Sequence, residues 1–144
     1  MNKMEKHLKF GIWYSRILLL LVSILFTSIA LKDLLHPFEA AKQSNITLSS
    51  ATAFSVFRVS MGALPLGFAI FTFVSLFSQR QISRGLLLVF ILVGITTLVR
   101  IASLKIDGKS DFGQKVLIPE IVITILSAVG LYLDQRRTKS QENV

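Results

Sequence analysis

Residues 85–104 read GLLLVFILVGITTLVRIASL, and this stretch decides the fold. Arg100 is the only charged side chain in it. A helix that crosses a bilayer core needs about 20 mainly apolar residues, at a rise of about 1.5 Å per residue. Because the stretch has this length and a single charge, it predicts a membrane-spanning helix.

Three more stretches of the chain satisfy the same criterion. The predicted membrane helices are 10–31, 52–77, 85–104 and 116–134. They are joined by a connector (32–51), a tight turn (78–84) and a short polar loop (105–115). Connections this short favour antiparallel packing of consecutive helices. The sequence therefore predicts an all-α integral membrane protein in which residues 1–144 form one domain, a four-helix bundle that runs up-down-up-down.

The composition and the basic residues support a membrane protein and predict its orientation. The chain is 52% hydrophobic and 17% charged, which is unusual for a small soluble domain. Lys and Arg near membrane ends favour the cytoplasmic side, whereas acidic residues contribute little. The basic residues at the ends assigned to the cytoplasm are Lys3, Lys6, Lys9, Arg16, Arg80, Arg84, Arg136, Arg137 and Lys139. We therefore expect both termini in the cytoplasm.

Apart from Arg16 near the cytoplasmic end of the first stretch and Asp134 at the end of the last, the apolar stretches contain three charged residues: Arg58, Arg100 and Glu120. With the predicted boundaries, Arg58 lies roughly 9 Å inside the outer end of its helix, and the other two lie roughly 6 Å inside theirs. Because all three occupy one layer, we expect Glu120 to be ionised and bridged to one or both arginines. Arg58 is expected to be buried, whereas for Arg100 a buried role and an extended reach to the outer surface are equally expected.

The count of charges in this cluster predicts a further anion. Two guanidinium groups and one carboxylate leave a surplus positive charge, and Asp107 is the nearest acidic residue along the chain. Asp107-Gly108 is also a turn signal, so the aspartate could instead serve only to turn the chain.

Small residues on the second helix predict close packing. Ser55, Gly62, Pro65 and Ala69 fall on the same helical face as Arg58 at a uniform period. Small residues allow the backbone of a neighbouring membrane helix to approach closely. We expect this face to be a helix contact, with a kink at Pro65.

These residues carry a resemblance to a known family. The positions concerned are Arg58-Val59-Ser60-Met61-Gly62-Ala63, Gly67, Arg100, Asp107-Gly108 and Glu120. Their order resembles the small bacterial four-helix membrane family catalogued as domain of unknown function 4345, over about residues 31–137. The chain departs from that family at Met61, where an aromatic residue is usual, and at Ala63, where a second glycine is usual. The broader grouping resembles the DoxX-type membrane proteins. The family has no assigned activity, so the resemblance implies a fold and a bacterial inner (plasma) membrane location.

Catalytic and metal-binding patterns are sparse. The chain has no Cys, and neither His7 nor His36 has a second ligand at metal-binding spacing within a helix. We expect no metal and no cofactor, find no pattern of nucleic-acid binding, and do not expect a hydrolase or metalloenzyme. Whether the protein is an enzyme stays open.

Three functions remain for the charged cluster. The preferred one is a small bundle that binds a lipid or quinone-like ligand through Arg58, Arg100, Glu120 and Asp107 in the outer half of the membrane. The second is a membrane subunit of a quinone-linked redox complex or enzyme, which requires a membrane protein partner. The third is a structural or assembly factor whose ion pairs only fix helix register.

Overall fold

The apolar stretches form long helices. A computed structural model describes residues 3–108 and 111–142, with side chains described between Phe10 and Arg136. Its α-helices are Lys3–Leu35, Pro37–Gln43, Ala51–Phe57, Leu64–Val74, Gln79–Ile106 and Asp111–Glu142. Within this part of the chain there is no β-strand. The side chains of Lys3, Lys6, Lys9, Arg137 and Lys139 lie outside the described residues.

Four segments are long and apolar enough to cross a membrane. They are span 1 (Phe10–Leu35), span 2 (Ala51–Phe77), span 3 (Gln79–Ile106) and span 4 (Asp111–Arg136). By length and composition these helices are those of a membrane protein, which confirms the all-α prediction and its four long helices.

The predicted turn 78–84 is wrong, because span 3 begins at Gln79. Ser78 alone has extended backbone, and its carbonyl accepts hydrogen bonds from the backbone N–H of Gln81 and of Ile82. Ile82 is fully buried, so it anchors a further turn of helix to the core. The prediction began this helix where the apolar run begins, whereas the helix already includes the polar residues before that run.

A short helix, Pro37–Gln43, lies between spans 1 and 2; we name it the connector helix. Proline at its start suits a helix N-terminus, where a missing N–H costs no hydrogen bond. Ala40 and Ala41 are buried and pack with Phe57 of span 2. The connector helix is therefore fixed to the first turns of span 2.

Span 2 is not a uniform α-helix. Arg58–Ala63 forms a π-helical turn, and Ser75–Phe77 ends the span as a 3₁₀ turn. The π turn directly precedes Pro65, whose ring and missing N–H disfavour the ordinary bond to the carbonyl of Met61. The wider turn absorbs this local mismatch, so a π turn lies where the sequence predicted a kink.

Spans 1 and 2 pack through small residues. Gly62 is buried, and a Cβ placed on it would lie 2.6 Å from Cγ of Leu34. Further along span 2, the Ser23 hydroxyl donates a hydrogen bond of 3.0 Å to the carbonyl of Ala69. Ala69 is fully buried. Later residues of span 2 thus meet earlier residues of span 1, as in two antiparallel helices. Pro65 is half-buried.

Spans 3 and 4 show the same antiparallel register. A Cβ on Gly130 would lie 3.2 Å from Cδ2 of Leu86, and one on Gly94 would lie 3.6 Å from Cγ2 of Thr124. Each step forward along span 3 therefore matches a step backward along span 4. This register leads directly to Arg100 and Glu120.

Span 1 joins the two pairs. The Tyr14 hydroxyl donates to the carbonyl of Leu126 in span 4 at 3.0 Å. Spans 1 and 3 share a buried cluster whose members are Leu18, Leu19, Val22, Ile82, Leu86, Val89 and Val93. The core thus lies around span 1, and the outward faces of all four spans are apolar.

Candidate functional site: the Arg100–Glu120 cleft

Arg100 and Glu120 form a two-pronged ion pair between spans 3 and 4. Nε of Arg100 donates to Oε2 of Glu120 at 2.8 Å, and Nη2 donates to Oε1 at 2.8 Å. Their side chains are 24% and 13% exposed. A bidentate pair fixes both the distance and the plane of the guanidinium, so Glu120 orients Arg100 rather than only neutralising it.

A threonine lies about one helical turn from each member of the pair. Thr97 lies one turn before Arg100, is buried, and donates to its own helix at Val93. The Thr124 hydroxyl donates to the carbonyl of Glu120 at 2.8 Å. Because the hydroxyls are satisfied within their own helices, they do not compete with Arg100 for the carboxylate.

A cleft of about 260 Å³ opens beside the pair. Its lining combines polar and apolar groups: Arg100, Ser103, Leu104, Asp107, Gly108, Phe112 and Gly113. A guanidinium has more N–H donors than a carboxylate can use. Arg100 therefore brings oriented donors to a space large enough for a small polar group.

Asp107 lines the cleft but does not join the ion pair. Its Oδ2 accepts a hydrogen bond of 2.6 Å from the Ser103 hydroxyl, and its N–H donates to the Ser103 carbonyl at 2.7 Å. The next residue, Gly108, has φ +97°, a conformation that glycine adopts without strain. Among the described residues Asp107 makes no contact with Arg100 within salt-bridge distance. Asp107 thus ends span 3 and places a second carboxylate at the cleft.

The structure does not bring Arg58 to this site, which corrects the expectation of a buried three-residue cluster. Its side chain is exposed, and Ser55 is exposed as well. The predicted face assumed a uniform period along span 2, whereas the π turn changes the phase between these residues and Gly62. Gly62 and Ala69 consequently face span 1, and Arg58 points outward.

Without Arg58 the charge balance of the predicted cluster changes, because Arg58, Arg100, Glu120 and Asp107 together would be neutral. Arg100 and Glu120 cancel, and Asp107 leaves a net charge of −1 on the three side chains. The surplus positive charge that the sequence predicted here is therefore absent from these three residues.

A polar group at the opposite end of the bundle was missed by the sequence interpretation. The Ser83 hydroxyl donates to Oδ2 of Asp134, which is buried. Asp134 lies two heptads after Glu120, so both carboxylates fall on one face of span 4. That spacing was visible in the sequence, but Asp134 was only the last residue of the predicted helix 116–134 and was not singled out.

The comparisons with known proteins add the family. A family model described as "Domain of unknown function (DUF4345)" matches residues 14–131. The chain belongs to this family. The matched range of the DUF4345 family includes Arg58, Arg100, Asp107 and Glu120. Searches of curated proteins and of solved structures found no significant match. The family description assigns no activity, so the function has to be argued from the geometry of the cleft.

Proposed function

We propose that this membrane protein binds the carbonyl-bearing headgroup of a lipid or quinone-like molecule in the Arg100–Glu120 cleft. One observation carries the proposal: a guanidinium whose Nε and Nη2 both donate to Glu120 lines an open cleft. Such a group donates hydrogen bonds to a ligand without first having to be ordered.

The charges favour a neutral acceptor over a phosphate. Glu120 already offsets the charge of Arg100, and Asp107 also lines the cleft. A ligand that brings a further negative charge into the cleft would therefore be repelled. A carbonyl or ester oxygen accepts the same hydrogen bonds without that cost. Because Arg100, Glu120 and Asp107 have no surplus positive charge, they do not favour an anionic ligand at this site.

The apolar lining suits the rest of such a molecule. Leu104 and Phe112 border the cleft, and Phe112 is 39% exposed. An aromatic side chain beside a polar donor offers a surface on which a flat ring can pack. The tail of the ligand would continue over the apolar outer faces of spans 3 and 4.

The experiment that tests this proposal separates binding from folding. In the double variant Arg100→Leu plus Glu120→Leu, both charges are removed together, which leaves no unpaired charge behind. We expect it to remain folded and to lose thermal stabilisation by decylubiquinone. Arg80→Gln is the control, because Arg80 is exposed and lies at the opposite end of span 3 from Arg100. Unchanged binding by the folded double variant would contradict the proposal.

A structural role is the second candidate, and the bidentate bond between two spans supports it. In that case Arg100 and Glu120 fix the register of spans 3 and 4, and the cleft has no ligand. The same double variant then matches the wild type in every binding assay. A role as a membrane subunit of a quinone-linked redox complex would further require a partner that co-purifies in mild detergent.

We also propose a topology in which the spans run up-down-up-down and both termini lie in the cytoplasm. Two contacts support this topology: Ser83 with Asp134, and Tyr14 with Leu126. They place the first residues of spans 1 and 3 on the same side of the bundle as the last residues of span 4. Arg16, Arg80, Arg84 and Arg136 lie at or near these segment ends, as the positive-inside rule expects. A bacterial inner membrane and a broad kinship with DoxX-type proteins complete this proposal.

A further inference from the structure

Arg58 is the only charged residue in span 2. Its side chain is exposed, and in residues 3–108 and 111–142 no hydrogen-bond or salt-bridge partner is found for it. An ionised side chain that faces hydrocarbon without a partner is expensive. An anion from outside the chain would therefore stabilise Arg58.

The position of Arg58 limits where that anion can be. Phe57, its neighbour in the chain, packs against the connector helix, which carries exposed Glu39 and Lys42. A helix with these charges belongs among lipid headgroups. Arg58 also lies only about 10 Å along the helix from the start of span 2, and arginine side chains extend toward the interface. The guanidinium is thus within reach of the headgroup layer.

The charges around the connector helix leave one cation over. Between residues 32 and 58 the cations are Lys32, Lys42 and Arg58, and the acids are Asp33 and Glu39, which gives a net charge of +1. Lys32 donates a hydrogen bond to the side chain of Gln43, within the same segment. This surplus fits a ligand with one negative charge.

The side chains next to Arg58 are apolar and open to the membrane. Val59, Met61 and Leu64 are 57%, 46% and 67% exposed. Arg58 could pair with an anionic headgroup while the acyl chains of the same lipid lie on this apolar surface.

We propose that Arg58 binds the phosphate of an anionic phospholipid in the leaflet beside the connector helix. Arginine pairs well with phosphate because its planar fork matches two phosphate oxygens. The site differs from the Arg100–Glu120 cleft in its residues, its charge and its ligand, and it does not depend on the function proposed for that cleft.

The test is a competition between lipids in nanodiscs that contain phosphatidylglycerol and phosphatidylcholine. Native mass spectrometry counts which lipid stays bound after release from the disc. We expect the wild type to prefer phosphatidylglycerol, and Arg58→Gln to reduce that preference about tenfold through loss of a charge-assisted pair. Arg58→Lys keeps the charge and is expected to keep most of the preference. The Arg100→Leu, Glu120→Leu double variant is expected to leave it unchanged.

The control separates a specific site from general charge. Arg80→Gln removes the same charge from another exposed position and is expected to have little effect. An equal loss in Arg80→Gln, or full preference in Arg58→Gln, would overturn the proposal. So would displacement of the lipid by inorganic phosphate.

Discussion

Two arginines in this protein meet the membrane in opposite ways. Arg100 lies between spans 3 and 4, where Glu120 of the same chain holds it by two hydrogen bonds. Arg58 lies on the outer surface of span 2, where the described residues offer it no partner. The first arginine is paired within the fold, whereas the second is open to what surrounds the protein.

The difference shows that depth along a helix does not determine the environment of a charge. Both arginines lie within about 10 Å of the ends of their spans. Their direction around the helix axis separates them, since Arg58 begins a π turn and Arg100 lies in regular helix. Charges that face a neighbouring span can pair within the chain, and charges that face outward select lipids or partners.

Removal of one member of the pair should have the largest effect on stability. In Glu120→Leu the guanidinium of Arg100 stays largely buried without its carboxylate, and we expect a loss of about 3 kcal/mol in unfolding free energy. Unfolding in mixed micelles with increasing dodecyl sulfate, followed by circular dichroism, measures this loss.

The second half of the cycle is the double variant. Arg100→Leu combined with Glu120→Leu leaves no unpaired charge, so we expect most of the stability to return. Independent residues would instead give a double variant whose loss equals the sum of the losses in Glu120→Leu and Arg100→Leu, and that result would break the contrast with Arg58.

Overpacking at the contact that turns Arg58 outward should have the next largest effect. Gly62→Leu places side-chain atoms where Leu34 already lies, because even a Cβ would be 2.6 Å from its Cγ. We expect a loss of about 2 kcal/mol in unfolding free energy by the same micelle assay.

Gly67 supplies the matched control on the same span. A Cβ at Gly67 would meet no atom within 4 Å, so Gly67→Leu is expected to be close to neutral. If both variants were equally unstable, a general effect of a large side chain on span 2 would explain the loss, and the contact with Leu34 would not.

Two serine hydroxyls of span 1 also differ in whether they bond to another span or within their own helix. Ser23 donates to Ala69 of another span, whereas Ser28 donates to Ile24 of its own helix. Hydrogen bonds between membrane helices contribute about 0.6 kcal/mol on average, so Ser23→Ala should lose about that amount and Ser28→Ala less. Equal losses in the micelle assay would contradict an inter-span role for Ser23.

The sequence was sufficient for the long helices and for one contact, and physical reasons limit the rest. Apolar length identified four spans, because the bilayer thickness fixes it. The charge pattern anticipated that Glu120 would meet an arginine, and the structure shows Arg100 bonded to it; the depth of this pair and its role stay predictions. The outward direction of Arg58 was missed because a uniform period cannot represent a π turn.

The smallest effect is expected at Arg58, and it is the sharpest test of the contrast. Arg58 is exposed and lacks a partner in the described part of the chain, so Arg58→Leu removes no internal bond. In a detergent without anionic lipid we expect a change below about 0.5 kcal/mol in unfolding free energy, as for most surface substitutions. In nanodiscs rich in phosphatidylglycerol the wild type should gain stability over the variant, because the lipid binds only where the arginine is present. A large loss in detergent alone would mean that Arg58 is satisfied within the fold after all, and the two arginines would then be alike.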